Sequence, residues 1–243
     1  MPGIVPKPYH PSNLVGGGWQ CRHMDGGWSD ALRGLAVRLA GTDVEWMLVG
    51  SAATALHGAA IEPGDLDVAV STAVGVRTAA TVLPSRTDRS SPTDPIWFSS
   101  LAEPTLSFVD PAGGRWTFGR WTLARFRVEL AHIDSPAPTD LLVETPAAAV
   151  WDERLVIDWK GTQIPVVPVE VQLATMIFRD QPDRLQATLA AVDPASLDAD
   201  LLRRALAGRE TGGTPLKVPD VLRERLANSG AADAGTVKTS RHG

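Results

Sequence analysis

The sequence predicts an α/β fold of the α+β kind: a mixed β-sheet core flanked by helices, with a helical appendage at the C-terminal end. Three observations predict it. Apolar or alternating runs of strand length recur between Glu45 and Val167, and in the first half they are interleaved with helix-like stretches. From Val169 onward the apolar period lengthens to that of helices. The 243 residues are 44% hydrophobic and 21% charged, a balance that buries a sizeable core and argues against wholesale disorder.

The first 28 residues are rich in Gly and Pro and read as a poorly ordered arm. Ser29 is placed to cap a helix carrying Leu32, Leu35 and Leu39 on one stripe, with Gly41 as its C-terminal cap. Glu45 to Val49 is a short apolar run of the buried-strand type and ends at Gly50-Ser51. Ala52 to His57 is Ala-rich and reads as a short helix, followed by a loop from Gly58 to Gly64. Asp65 to Val70 alternates, with Leu66, Val68 and Val70 on one face and Asp65, Asp67 and Ala69 on the other. Thr72 to Leu83 reads as a helix and Arg86 to Glu103 as a loop. Strand-like pieces follow at Leu106–Val109 and Trp116–Trp121.

Phe126 to Ile133 alternates again, with Arg127, Glu129 and Ala131 opposite the apolar Phe126, Val128 and Leu130. Leu155–Trp159 and Gln163–Val167 flank Lys160-Gly161-Thr162 as a hairpin. Helices are predicted from Val169, from Pro182 through Val192, over Leu197–Ala207, and briefly over Val218–Leu226. The expected organisation is an arm at 1–28, a core at 29–168, a helical region at 169–228 and a disordered tail at 229–243.

Several function classes are excluded by composition. The 23 Lys and Arg against 28 Asp and Glu give a net charge of −5, which argues against general DNA binding. A single cysteine, Cys21, excludes a disulfide framework and a Cys-rich zinc site; Cys21 and His23 form half a ligand set without a second half. No run of apolar residues is long enough to span a membrane, and the N-terminal stretch lacks the apolar segment of a signal peptide. The expected compartment is the cytoplasm.

Chemistry concentrates in Leu48-Val49-Gly50-Ser51, a spacer over 52–64, and Asp65-Leu66-Asp67-Val68. Glycine at a strand-to-helix turn lets a phosphate approach the backbone, helix-start N–H groups favour an anion, and Ser51 adds a hydroxyl. Carboxylates at i and i+2 of a strand project from one face about 7 Å apart at Cα, a spacing that suits one or two hard cations beside phosphates. A third carboxylate from a neighbouring strand would complete such a site. Glu129 is the candidate, and Asp110 is the reserve.

These residues resemble the motifs of the DNA polymerase β-like nucleotidyltransferase superfamily, and the chain is similar to its small bacterial antibiotic- or toxin-type members. Val49-Gly50-Ser51 and Asp65-Leu66-Asp67-Val68 match the first two elements, and Phe126-Arg127-Val128-Glu129-Leu130 matches the third. The resemblance implies transfer of a nucleoside monophosphate from a nucleoside triphosphate to a hydroxyl, with release of pyrophosphate. It implies Mg²⁺ or Mn²⁺ held by Asp65, Asp67 and Glu129, and phosphates cradled by Gly50 and Ser51. The acceptor classes it brings are small molecules, transfer RNA and proteins. Such members carry a Lys on a helix opening near Pro and Glu. Here Pro168 and Glu170 fit, Met176 or a neighbour stands in place of the Lys, and Arg179 or Arg184 is left to supply the charge.

The same residues admit plainer readings. Glu129 pairs with Arg127 across one strand face as a surface ion pair, and His57 packs or caps rather than catalyses. Tryptophans 97, 116, 121, 151 and 159 serve as core or hydrogen-bonded rim, with one open to base stacking. The segment holding Arg115, Arg120, Arg125 and Arg127 is a solvated face or a phosphate groove. The alternative to an enzyme is a catalytically inactive binding protein of the same fold. A carboxylate face free of structural duty also predicts that neutralising Asp65 or Asp67 relieves repulsion and leaves the fold as stable or slightly more so.

Overall fold

Strand pairing follows from the alternating runs. β1 (Trp46–Val49), β2 (Leu66–Val70), β3 (Leu106–Val109), β4 (Arg115–Leu123), β5 (Phe126–Asp134), β6 (Leu155–Trp159) and β7 (Thr162–Val166) form one sheet in the order β3-β4-β5-β2-β1-β7-β6. The computed structural model describes residues 27–87, 97–111, 113–134, 151–207, 209 and 215–235. Neighbours β3/β4, β4/β5, β1/β2 and β6/β7 run antiparallel, while β2/β5 and β1/β7 are parallel, so the sheet is mixed. The parallel pairs sit at the centre, where strands distant in sequence meet.

The helices are α1 (Gly27–Leu39), α2 (Gly50–Leu56), α3 (Ala73–Val82), α4 (Val169–Phe178), α5 (Pro182–Ala191), α6 (Ala199–Ala207) and α7 (Asp220–Gly235), with a 3₁₀ turn at Pro194–Ser196. α1 and α3 pack against β2, β4 and β5. That side of the sheet is apolar: Leu66, Val68, Val70, Val128, Leu130, Trp121 and Leu123 join Leu32, Leu35 and Leu39 of α1 in one buried cluster. A second cluster, built from Val169, Leu173, Ile177, Leu197, Leu202, Leu206 and Leu222, lies within the C-terminal helices. α4 feeds both, since Val171 belongs to the first cluster and Leu173 to the second. No helix among the described residues is long and apolar enough to cross a membrane.

Most predicted elements appear where the periodicity places them, and the ends carry the differences. Ser29 lies inside α1, buried, with its hydroxyl accepting a bond from Trp159 Nε1 at 3.0 Å; it is not the cap. α1 starts two residues earlier because Trp28 stacks on Trp159, with ring centroids 5.2 Å apart, which gives the first turn a surface to bury. Gly41 does not adopt a left-handed cap, and the end of α1 is closed by Thr42, whose hydroxyl and N–H both reach the Leu39 carbonyl. Thr72 caps α3, accepting from the Gly75 N–H at 3.0 Å. The last helix is longer than Val218–Leu226 and starts at Asp220. Cys21, His23 and the final eight residues lie outside the described residues.

Candidate functional site

The sheet face opposite α1 and α3 carries the polar residues of β2, β5 and β4. β1 ends at Val49, which pairs with Asp67 of β2, so the next residue, Gly50, lies directly against the Asp67 side chain. Gly50 has φ +66, a conformation that disfavours side chains, and a Cβ placed there would overlap the Asp67 carboxylate. The Gly50 carbonyl is fixed by two bonds, from Thr54 Oγ1 and from Gln172 Nε2 of α4, each 3.0 Å. Thr54 and Gln172 also stand 3.0 Å apart, both fully buried. Ser51 is only 8% exposed, so its hydroxyl offers a ligand little surface and the Gly50 backbone is the larger part of the turn.

Register brings the carboxylates together. In the parallel β2/β5 pair Asp67 lies beside Glu129, and in the antiparallel β4/β5 pair Arg120 lies beside Glu129 on its other side. Asp65, one residue before β2, bonds Arg127 NH2. Arg127 Nε is 3.2 Å from Glu129 Oε1, and Arg120 Nε donates to that same oxygen at 2.8 Å. Arg120 is further tied to the Trp97 carbonyl at 3.1 Å. Glu129 therefore stands on the face that alternation assigned to it, and it is ion-paired with Arg127 and with Arg120.

The donor set suits a hard divalent cation, being carboxylate oxygens on adjacent strands with a glycine backbone beneath one of them. As the side chains stand, however, Arg127 occupies the space between Asp65 and Glu129. Among the described residues no three His, Cys, Asp or Glu side chains converge closely enough to hold a metal. The carboxylates are of the kind that a hard cation takes, but as they stand they do not form a group that holds one.

Other expected residues lie elsewhere. Asp110 accepts from the Gly114 N–H at 2.9 Å and from Trp116 Nε1 at 2.8 Å, closing the β3–β4 turn. Trp116 is four residues from Arg120 along β4, about 13 Å at strand rise, so the reserve role of Asp110 is excluded. Arg179 is the exposed C-terminal cap of α4, seven residues and about two turns beyond Gln172. The structure does not bring it to Gly50, and the positive charge near the carboxylates comes from Arg120 and Arg127 instead. Glu170 is buried and accepts from the N–H of Asp198, the residue before α6, at 2.8 Å. His57 Nε2 lies 2.8 Å from the Val167 carbonyl; a carbonyl only accepts, so that nitrogen donates, and the ring ties α2 to the end of β7. Trp97 bonds Glu103, Trp116 stacks on Phe108, and Trp121 is 1% exposed, so these rings are engaged in the fold.

Arg120 and Arg127 were singled out from the sequence as a basic segment, and the alternation of β5 put Arg127 on the Glu129 face; what the sequence did not show is that Arg120 also reaches Glu129. Thr54 and Gln172 escaped the sequence reading, because their task exists only once α4 packs against the turn.

No family model matches the sequence, and no curated protein matches it. Solved structures similar to this chain include a provisionally named nucleotidyltransferase from Thermotoga maritima, with 18% identity, a TM-score of 0.42, and coverage of 64% of this chain and 86% of that one. They also include an antigenic nucleotidyltransferase-like protein from Paracoccidioides brasiliensis, with 15% identity, a TM-score of 0.41, and coverage of 85% and 92%. At this level of likeness the chemistry has to be read from the side chains.

Proposed function

We propose that the protein is a nucleotidyltransferase that moves a nucleoside monophosphate from a nucleoside triphosphate to a hydroxyl acceptor, releasing pyrophosphate. The observation that carries the reading is the register of β2 against β5, which sets Asp67 beside Glu129 while the Gly50 backbone packs against the Asp67 carboxylate. Asp65, Asp67 and Glu129 are the residues that would hold Mg²⁺ or Mn²⁺. When bound there, such a cation supplies charge neutralisation for the phosphates and for the leaving pyrophosphate. Glu129, on the strand next to Asp67, would be the carboxylate that takes the acceptor hydroxyl proton. The missing side chain of Gly50 makes room for the Asp67 carboxylate, and Arg120 and Arg127 would provide guanidinium forks for phosphate oxygens. The net charge of −5 favours a small hydroxyl acceptor over a long nucleic acid, with transfer RNA or a protein as the other classes.

A second reading is a binding protein without catalysis, favoured by the ion pairs that already satisfy Asp65 and Glu129. One experiment separates the two. The protein is incubated with each α-labelled triphosphate, Mg²⁺ and a metabolite or lysate fraction, and the label is followed. Transfer that is lost in Asp67→Asn, with circular dichroism unchanged, is the expected result. Triphosphate binding by calorimetry with no transfer to any fraction selects the binding protein.

A further inference from the structure

We infer that the polar sheet face carries a recess for a flat ring, floored by Ala131 next to Glu129, and that this recess takes the acceptor as a planar aromatic hydroxyl compound. The inference rests on the nucleotidyltransferase reading for the ring's role as acceptor, and on the side chains alone for the recess. On β4, Trp116, Phe118 and Arg120 alternate with the buried Thr117, Gly119 and Trp121, so they share the face that holds Glu129. Register lays that face out in rows. Glu129 and Arg120 form the charged row, Ala131 and Phe118 the next, and Ile133 and Trp116 the third, with Phe108 of β3 beside Trp116.

Ala131 sits low among larger neighbours: Glu129 before it and Ile133 after it on β5, and Phe118 across from it on β4. On its β2 side Ala69 is 2% exposed, so the recess is closed there, whereas Ala131, Phe118, Ile133 and Trp116 are half-buried and Phe108 is 37% exposed. The aromatic walls are fixed in advance. Trp116 Nε1 donates to Asp110 at 2.8 Å, and its ring stacks on Phe108 with centroids 5.5 Å apart. Phe118 has the Arg120 guanidinium 5.2 Å from its centroid and the Trp97 ring at 6.2 Å. Walls held in this way lose little freedom on binding and favour a flat partner over a flexible chain. Rows lie about 7 Å apart and strands about 5 Å apart, so the patch covers on the order of 100 Å². That is room for one or two fused rings, and far short of the roughly 800 Å² that each partner of a stable protein pair buries. Arg127, proposed to hold phosphate oxygens, precedes Glu129 by two residues on this face, and Ala131 follows it by two. A ring in the recess therefore lies across Glu129 from the phosphates, as an acceptor must. Its hydroxyl oxygen would bond the α-phosphorus, its proton would pass to Glu129, and pyrophosphate would leave.

The test uses the full chain without metal or triphosphate, 2-naphthol as the probe, and the NMR shifts of the Ala131 methyl and the Trp116 indole N–H as the readout. 2-Naphthol should move both signals. Decahydro-2-naphthol keeps the hydroxyl and the carbon skeleton but is not flat, and it should bind about tenfold more weakly or not at all. Ala131→Leu fills the recess without touching a charged group and should weaken 2-naphthol about tenfold or more, with circular dichroism unchanged. Phe118→Leu removes one aromatic wall, should weaken the probe severalfold, and covers the case in which the Ala131 variant fails to fold. Equal affinity for the flat and saturated probes, or undiminished affinity in both variants, overturns the recess. Adenosine should leave both signals in place; displacement of 2-naphthol by adenosine would make the recess the base site of the triphosphate and overturn the acceptor assignment. A last arm adds Mg²⁺ and α-labelled triphosphate. Label on 2-naphthol supports recess and reaction together, and label passing only to compounds without an aromatic ring overturns the acceptor assignment. 2-Naphthol bound in the recess with no label on it or on any other acceptor overturns the enzyme reading and leaves the ring site standing.

Discussion

At Gly50 two constraints fall on one residue. Its φ of +66 costs an alanine about 1–2 kcal/mol, and the added methyl would push the Asp67 carboxylate off the turn. Gly50→Ala should lower stability by about 1–3 kcal/mol in urea unfolding and cut nucleotide transfer at least tenfold, since the displaced group is a proposed cation ligand. Retained transfer in a destabilised protein would make the contact purely structural. Asp65 has an ion pair that the sequence-based expectation left out. Its neutralisation was expected to relieve repulsion, but its carboxylate is bonded to Arg127 with 19% of the side chain exposed. Asp65→Asn should therefore lower stability slightly, by about 1 kcal/mol, as removal of a half-buried ion pair does. A raised melting temperature in differential scanning calorimetry would mean that repulsion from Asp67 outweighs the Arg127 bond.

Among the elements, the β4–β5 turn is the least relaxed. Ala124 and Arg125 have φ of 47 and 66, the left-handed pair that a two-residue hairpin needs, and neither residue favours it. Replacing them by Asn-Gly should stabilise the protein by about 1 kcal/mol and raise the thermal midpoint, without altering the Glu129 face. An unchanged midpoint would show that Arg125 makes up the difference through its side chain. The contrast with the β6–β7 hairpin explains what was legible. There Lys160-Gly161 announces its turn, with φ of 52 and 79, whereas Ala124-Arg125 carries no such signal. Likewise the alternation of Phe126 to Ile133 shows that Glu129 faces away from the core, because period 2 is local. That Arg120 stands beside Glu129 follows from the register of the β4–β5 hairpin, whose turn carries no signal, and that Asp67 stands on the other side depends on register between β2 and β5, which lie 62 residues apart and leave no local pattern. The end of α1 was misread for a related reason: Trp159, which draws Trp28 and Ser29 into the helix, arrives from the far end of the core.

In the whole molecule α4 is the shared part. Val171 packs with the sheet, Leu173 with the C-terminal helices, and Gln172 between them holds the Gly50 carbonyl. The two apolar clusters should therefore melt together. The seven tryptophans among the described residues all precede Lys160, so their fluorescence reports on the sheet half, while far-ultraviolet circular dichroism also sees the C-terminal helices. Leu173→Ala, which empties a fully buried position, should cost about 2–5 kcal/mol and shift both probes by the same amount. A shift in circular dichroism alone would mean that the helices unfold as an independent unit.

The central pairing of the sheet also sets a time order for folding. Hairpins β4–β5 and β6–β7 join neighbouring segments and can form early, whereas Asp65 and Arg127 are 62 residues apart and Gly50 and Gln172 are 122 apart. Contacts closing loops of that length come late, after their entropy has been met by other structure. The polar face assembles only when the last long-range strands dock. A nascent or partly refolded chain will thus show native hairpins and buried tryptophans before it can hold a ligand, and recovery of binding should be the slowest phase seen on dilution from denaturant.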